Sequence, residues 1–146
     1  MQKDDEIIKK VNMANTELYH AFESLSIEMM DKLWKHDENI ICIHPGWDLF
    51  TGWLAIRESW MTIFANTEMI KFTITNTKIR TFDKVAVVVC LENIETTSAD
   101  GRVIKIGVIA TNIFEQRNSE QPNEWLLVHH HGSPLTNYIP PNVSSQ

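Results

Sequence analysis

The run Val85-Ala86-Val87-Val88-Val89-Cys90-Leu91-Glu92-Asn93-Ile94 decides the architecture of this chain. Side chains of a strand alternate between two faces, and this run is apolar at both parities, as a strand covered on both sides must be. Val103 to Phe114 repeats the pattern, and Asp100 with Gly101 between them reads as a hairpin turn. Working outward, Asp83 with Lys84 is a second turn, preceded by Ile70, Phe72 and Ile74 alternating with Lys71, Thr73 and Thr75. In the other direction a looser polar loop, Gln116 to Asn123, leads to a last strand from Trp125 to His131. Short connections between consecutive strands predict antiparallel pairing, hence a curved meander.

Towards the amino terminus the hydrophobic period changes. Ile7, Val11, Ala14, Leu18, Ala21 and Phe22 recur at helical spacing, and after a Ser-rich break Ile27, Met30, Leu33 and Trp34 do the same, with Ser26 as N-cap. Ile40 to His44 reads as a short buried strand ended by Pro45 and Gly46. Ile56, Trp60, Ile63 and Phe64 mark a third helix that starts near Thr51 and Gly52. The expected fold is α+β, with the three helices packed on one face of a curved, mainly antiparallel sheet. Residues 1–136 form one domain and 137–146 a polar tail, loosely held or draped over the surface. The other sheet face needs a cover that the chain is too short to provide, which predicts a homodimer through that outer face.

Composition excludes several classes of function. Against 13 basic residues stand 19 acidic ones, a formal charge of −6, and no basic block follows a phosphate backbone, so nucleic acid is not an expected partner. The longest apolar run, Val85 to Leu91, is too short for a membrane span, and the charged start, Gln2 to Lys10, is no secretory signal; the expectation is a cytoplasmic protein. Cys42 and Cys90 lie far apart in apolar strands without CxxC spacing, as buried free thiols do. No phosphate loop or nucleophile elbow is present, and no cofactor is expected.

The last strand carries the chemistry. In Trp125-Leu126-Leu127-Val128-His129-His130-His131, simple alternation sets Trp125, Leu127, His129 and His131 on one face and Leu126, Val128 and His130 on the other. Whichever face is buried takes at least one imidazole inward, and a buried imidazole needs a partner, a ligand or a wet cavity. His129 and His131 could form a two-His half-site, but with no third ligand at motif spacing a native metal is not expected.

Three segments together resemble a known family: His44-Pro45-Gly46 before a Gly52 that opens a helix holding Ser59 and Trp60; Ala110-Thr111-Asn112-Ile113-Phe114; and Trp125 through His131 to Ser133 and Pro134. The order two helices, short strand, helix, four-strand meander is similar to the NTF2-like superfamily and its SnoaL-like branch. The resemblance implies a conical half-barrel with a pit between sheet and helices, and a homodimer through the outer sheet face. It does not choose a function, since that fold hosts isomerases, cyclases, dehydratases, epoxide hydrolases and the non-catalytic association domain of a calmodulin-dependent kinase.

Steroid isomerase chemistry needs a carboxylate base and a phenol donor. Tyr19 supplies a phenol, but neither Asp48 nor Glu92 matches a family motif, and the isomerase residues are not carried over. The candidate site is therefore His131, His44, His129 and Asn112 as proton-handling residues, with Tyr19, Trp34 and Trp60 as walls. Asn112 would fix which imidazole nitrogen carries the proton. Two readings stay open: acid/base chemistry of isomerase, cyclase or lyase type on a small apolar ligand, or a non-catalytic dimerisation or ligand-sensing module. An inward carboxylate, or an imidazole with an aligned partner, separates them in favour of chemistry.

Overall fold

The computed structural model describes residues 2–118 and 120–141. Its elements run α1 (Gln2–Ser24), α2 (Ile27–Leu33), β1 (Ile41–Ile43), β2 (Leu49–Thr51), α3 (Trp53–Ala65), β3 (Thr67–Phe82), β4 (Val85–Ser98), β5 (Val103–Asn118) and β6 (Gln121–Pro134). Three helices pack on a curved, open six-stranded sheet of order β2-β1-β6-β5-β4-β3. All strand pairs are antiparallel except β1 with β6. That parallel pairing lays the short first strand beside the histidine strand, Ile41 opposite His129, Cys42 opposite His130 and Ile43 opposite His131.

Burial explains why these residues form these elements. Along α1, Val11, Leu18, Tyr19, Ala21 and Phe22 are buried at the spacing that makes one helical stripe. Ser26 caps α2 by accepting from the Met29 amide at 3.4 Å, as expected from the sequence. From α3, Ile56 and Trp60 enter the core and Ile63 and Phe64 pack against it. On β4, Ala86, Val88, Cys90 and Glu92 face the helices, while Val87, Val89 and Leu91 are half-buried on the outer face.

Several sequence expectations are revised. The stretch after Gly46 holds an extra strand, β2, which at three residues is too short to show a period. The segment 116–123 is not a loose loop: β5 continues to Asn118 and β6 resumes at Gln121, the two paired directly, with residue 119 outside the described residues. The largest revision concerns β6. Ile113 pairs with His129 but Phe114 pairs with Leu127, so Val128 is an extra residue in the ladder. One inserted residue reverses the alternation beyond it. Trp125 and Leu127 face inward before the bulge; after it His130 and Gly132 do, and His129 and His131 turn to the outer face.

The tail begins with an ordered strap. Leu135 N–H donates to the Gly107 carbonyl at 2.8 Å, and the Tyr138 hydroxyl donates to Asn93 Oδ1 at 2.6 Å on the outer face of the sheet. A Cβ on Gly107 would stand 2.1 Å from the Tyr138 ring, so the strap lies flat only over glycine.

Candidate functional site

The inner face of the sheet and the helices enclose a pit of about 370 Å³. Its walls come from every layer: Phe22 from α1, Trp60 and Ile63 from α3, Ile70 and Phe72 from β3, Glu92 and Ile94 from β4, His130 from β6. His44, Pro45 and Trp47, in the turn after β1, form one side. Pro45 seats on Gly132, where an added Cβ would meet its ring at 2.9 Å and Val108 at 3.0 Å. That close approach fixes the turn against the histidine strand, and it joins the His-Pro-Gly and His-Gly-Ser-Pro segments noted in the sequence. Phe22 and Trp60 stack at 4.3 Å between ring centroids, and Phe72 tilts on Phe22 at 5.6 Å.

Two polar clusters interrupt these apolar walls. In the first, Ser59 Oγ donates to the Ile56 carbonyl at 2.7 Å and stands 2.8 Å from His44 Nε2. The hydroxyl hydrogen being committed, Ser59 accepts, so His44 carries its proton on Nε2. Burial pushes the His44 pKa down to about 4, and the ring is neutral at pH 7.

The second cluster is a directed chain. Asn112 Nδ2 donates to Asn15 Oδ1 at 2.9 Å and to the Tyr19 hydroxyl at 3.0 Å, which leaves Asn112 Oδ1 as acceptor for His130 Nδ1 at 2.5 Å. Tyr19 in turn donates to Glu92 Oε2 at 2.6 Å. Both donations, from Asn112 to Tyr19 and from Tyr19 to Glu92, point towards the carboxylate. With Nδ1 donating, His130 keeps its lone pair on Nε2, which has no hydrogen-bond partner among the described residues. Burial lowers its pKa to about 3, helped by the neighbouring His44, His129 and His131.

Glu92 is 2 % exposed, and burial raises its pKa to about 7, an effect the Tyr19 hydrogen bond reduces. A carboxyl that titrates near neutrality both gives and takes a proton under ordinary conditions. Tyr19 itself stays protonated: burial first, then the Glu92 and Cys90 charges, hold its pKa well above the phenol value.

Among the residues expected from sequence, the structure brings His44 and Trp60 to the pit wall, with Tyr19 and Asn112 directly behind it. It places the other three elsewhere. His131 is exposed on the outer face opposite Thr111, and His129 is half-buried there opposite Ile113; the Val128 bulge is the reason. Trp34 is buried, but beside Trp53 at 6.0 Å and bridged to Leu127, away from the pit. The candidate site named from sequence did not include His130, Asn15 or Ser59, and it set Glu92 aside for want of a motif. The available signal for Glu92 was its parity, shared with Ala86, Val88 and Cys90 in a run otherwise apolar at those positions.

The SnoaL-like domain pattern matches residues 11–137, from the first buried turn of α1 to the start of the strap. The chain belongs to the SnoaL-like family of the NTF2-like superfamily. A dehydratase candidate of the NTF2-like family from Streptomyces avermitilis is 30% identical, with a TM-score of 0.80 over 90% of this chain and 98% of that one. The CaMKII hub of S. rosetta shares the SnoaL-like fold at 24% identity, with a TM-score of 0.68 over 87% of this chain and 95% of that one. The F-box protein SKIP8 of Arabidopsis thaliana is 28% identical over 119 residues, which is 82% of this chain and 47% of that protein. The chain thus spans about half the length of this curated relative. Among the described residues no helix is long and apolar enough to cross a membrane, and no group of His, Cys, Asp and Glu clusters as a metal site would.

Proposed function

We propose that the pit is an acid/base site for a small, largely apolar molecule, with Glu92 as the group that moves the proton. The observation that carries this reading is the Glu92–Tyr19 pair: a carboxyl poised near pH 7 by burial, oriented by a 2.6 Å hydrogen bond and lining an otherwise apolar cavity. His130 Nε2 serves as the second polar contact, accepting a hydrogen bond from the ligand, and Asn112 holds its tautomer. A proton removed from a carbon next to a carbonyl and returned elsewhere gives an isomerisation; loss of a β-hydroxyl instead gives a dehydration. The dehydratase candidate from Streptomyces avermitilis supports the second of these for the family.

Residues 1–136 act as one domain closed into a half-barrel around the pit. A second copy covers the outer face, where Val87, Val89, Leu91 and Ile113 are half-buried and Ile109 is 41 % exposed. That face also supports a second reading, a non-catalytic module whose work is self-association, in the manner the hub name of the S. rosetta protein suggests.

Solvent deuterium exchange separates the two. A panel of small β,γ-unsaturated ketones and β-hydroxy carbonyl compounds is incubated with the protein in heavy water, and carbon-bound deuterium is followed by NMR. The acid/base reading expects incorporation into at least one member, lost in Glu92→Gln. Absence of incorporation into any member supports the association module instead.

A further inference from the structure

The charge balance of the pit is one-sided. Among the described residues that line it there is no Lys or Arg, and both imidazoles are neutral at pH 7. The only group that becomes charged there is a carboxylate. Around it stand aromatic rings: the stacked Phe22 and Trp60, Phe72 tilted against Phe22, and Trp47 at the side, edge-on to His44 at 5.1 Å. Ring faces carry negative potential, so these walls and Glu92 act in the same sense on a ligand. An anion entering the pit would meet Glu92 with no counter-charge to offset it.

We infer that the pit takes a small organic cation, a protonated or quaternary amine with apolar substituents, held by Glu92 as counter-ion and by the faces of Trp60, Phe72 and Trp47. The inference rests on the reading of the pit as a ligand site and names the ligand class for it. It also explains why a carboxyl lies in apolar walls with one neutral partner: the group lacks the cation that would satisfy it, and the ligand supplies one. The net charge of −6 raises the local concentration of cations about the whole molecule. Counter-ion and proton acceptor are compatible roles for one carboxylate, because a positive charge next to a C–H bond makes that hydrogen easier to remove.

The titratable groups facing Glu92 are few. Tyr19 from α1, Cys90 beside it on β4 and Cys42 on β1 all have pKa values raised by burial and stay protonated, while His44 and His130 stay neutral. Between about pH 5.5 and 8 the ionisation of Glu92 is therefore the event that changes charge in the pit.

The test uses choline, charged at every pH, and neohexyl alcohol, which has a carbon in place of the choline nitrogen. Binding of each to the full chain is followed by NMR of the Trp indole signals. At pH 8 choline should bind about tenfold more tightly than the alcohol, since a partly buried ion pair with ring faces exceeds shape alone. Choline affinity should fall about sevenfold from pH 8 to about 5.5, to near that of the alcohol, as Glu92 takes its proton, and the affinity of the alcohol should stay flat. Glu92→Gln should abolish the difference while keeping the alcohol; the wild-type pH comparison stands without that variant if it fails to fold. Equal affinities at pH 8, a pH-independent choline affinity, or no binding of choline overturns the inference. Deuterium incorporation into an uncharged ketone without choline binding overturns the cation reading alone; failure of both removes the acid/base reading as well.

Discussion

Two adjacent histidines of one strand have opposite environments. His130 is 2 % exposed, neutral, tied to Asn112 and open to the pit; His131 is exposed on the outer face of the sheet. The same contrast holds along β4, where Glu92 is sealed in the inner face and Leu91 is half-exposed on the outer one. The proposed chemistry and the proposed assembly thus fall on alternate residues of the same strands. The inner set carries the polar groups Glu92, Asn112 and His130, and the outer set carries the half-buried Val87, Val89 and Leu91.

The largest effect that would break this comparison lies in the inner wall. Trp60→Ala removes the ring stacked on Phe22 and should cost about 3 to 5 kcal/mol in chemical denaturation. A loss under about 1 kcal/mol would mean that α3 is not seated as described.

Glu92 gives the next effect, and its sign follows from linkage. Burial raises the folded-state pKa to about 7 from 4.5, so the folded protein holds a proton that the unfolded chain has released; stability falls as pH rises between those values. Glu92→Gln keeps an acceptor for Tyr19 and removes the charge. It should leave stability nearly unchanged near pH 4.5 and raise it by about 3 kcal/mol at pH 8, read from urea midpoints at the two pH values. His44 and His130 act in the opposite sense: their pKa values are lowered, so the unfolded chain gains protons first and stability drops as pH falls below about 6.5.

The histidine pair sharpens the contrast directly. His130→Ala leaves Asn112 Oδ1 unpaired in the core and should cost roughly 1 to 3 kcal/mol, while His131→Ala should change folding stability by less than about 0.5 kcal/mol. Equal effects would deny the Val128 bulge. Smallest in folding energy, and specific to the outer face, is Leu91→Lys: the proposed dimer should dissociate to a monomer by light scattering with little change in monomer stability. A wild-type monomer at micromolar concentration would remove the proposed partner face.

The legible part of this molecule was whatever depends on a period. The helical stripe through Leu18 and Phe22, the long strands around Val88 and Val108, and Trp60 facing inward all follow from spacing alone. His44, Trp60 and Asn112 could be named in advance because short segments resembling the family carried them, and Tyr19 because it is a phenol on the first helix. The bulge at Val128 was not legible, since one added residue in an apolar strand leaves no mark in composition, and it moved two histidines to the wrong side of the reading. Glu92 was visible as an interruption but carried no motif. Its role depends on Tyr19 reaching it across 73 residues of chain, a distance that pattern alone does not span.

The central claim is that Glu92 holds a proton near neutrality inside the pit, and carboxyl-carbon NMR of labelled protein tests it most directly. The side-chain carboxyl signal of Glu92, assigned by its loss in Glu92→Gln, should titrate with a midpoint of about 7. A midpoint at or below the ordinary glutamate value, about 4.3, would show a solvated or paired carboxylate and would contradict the account.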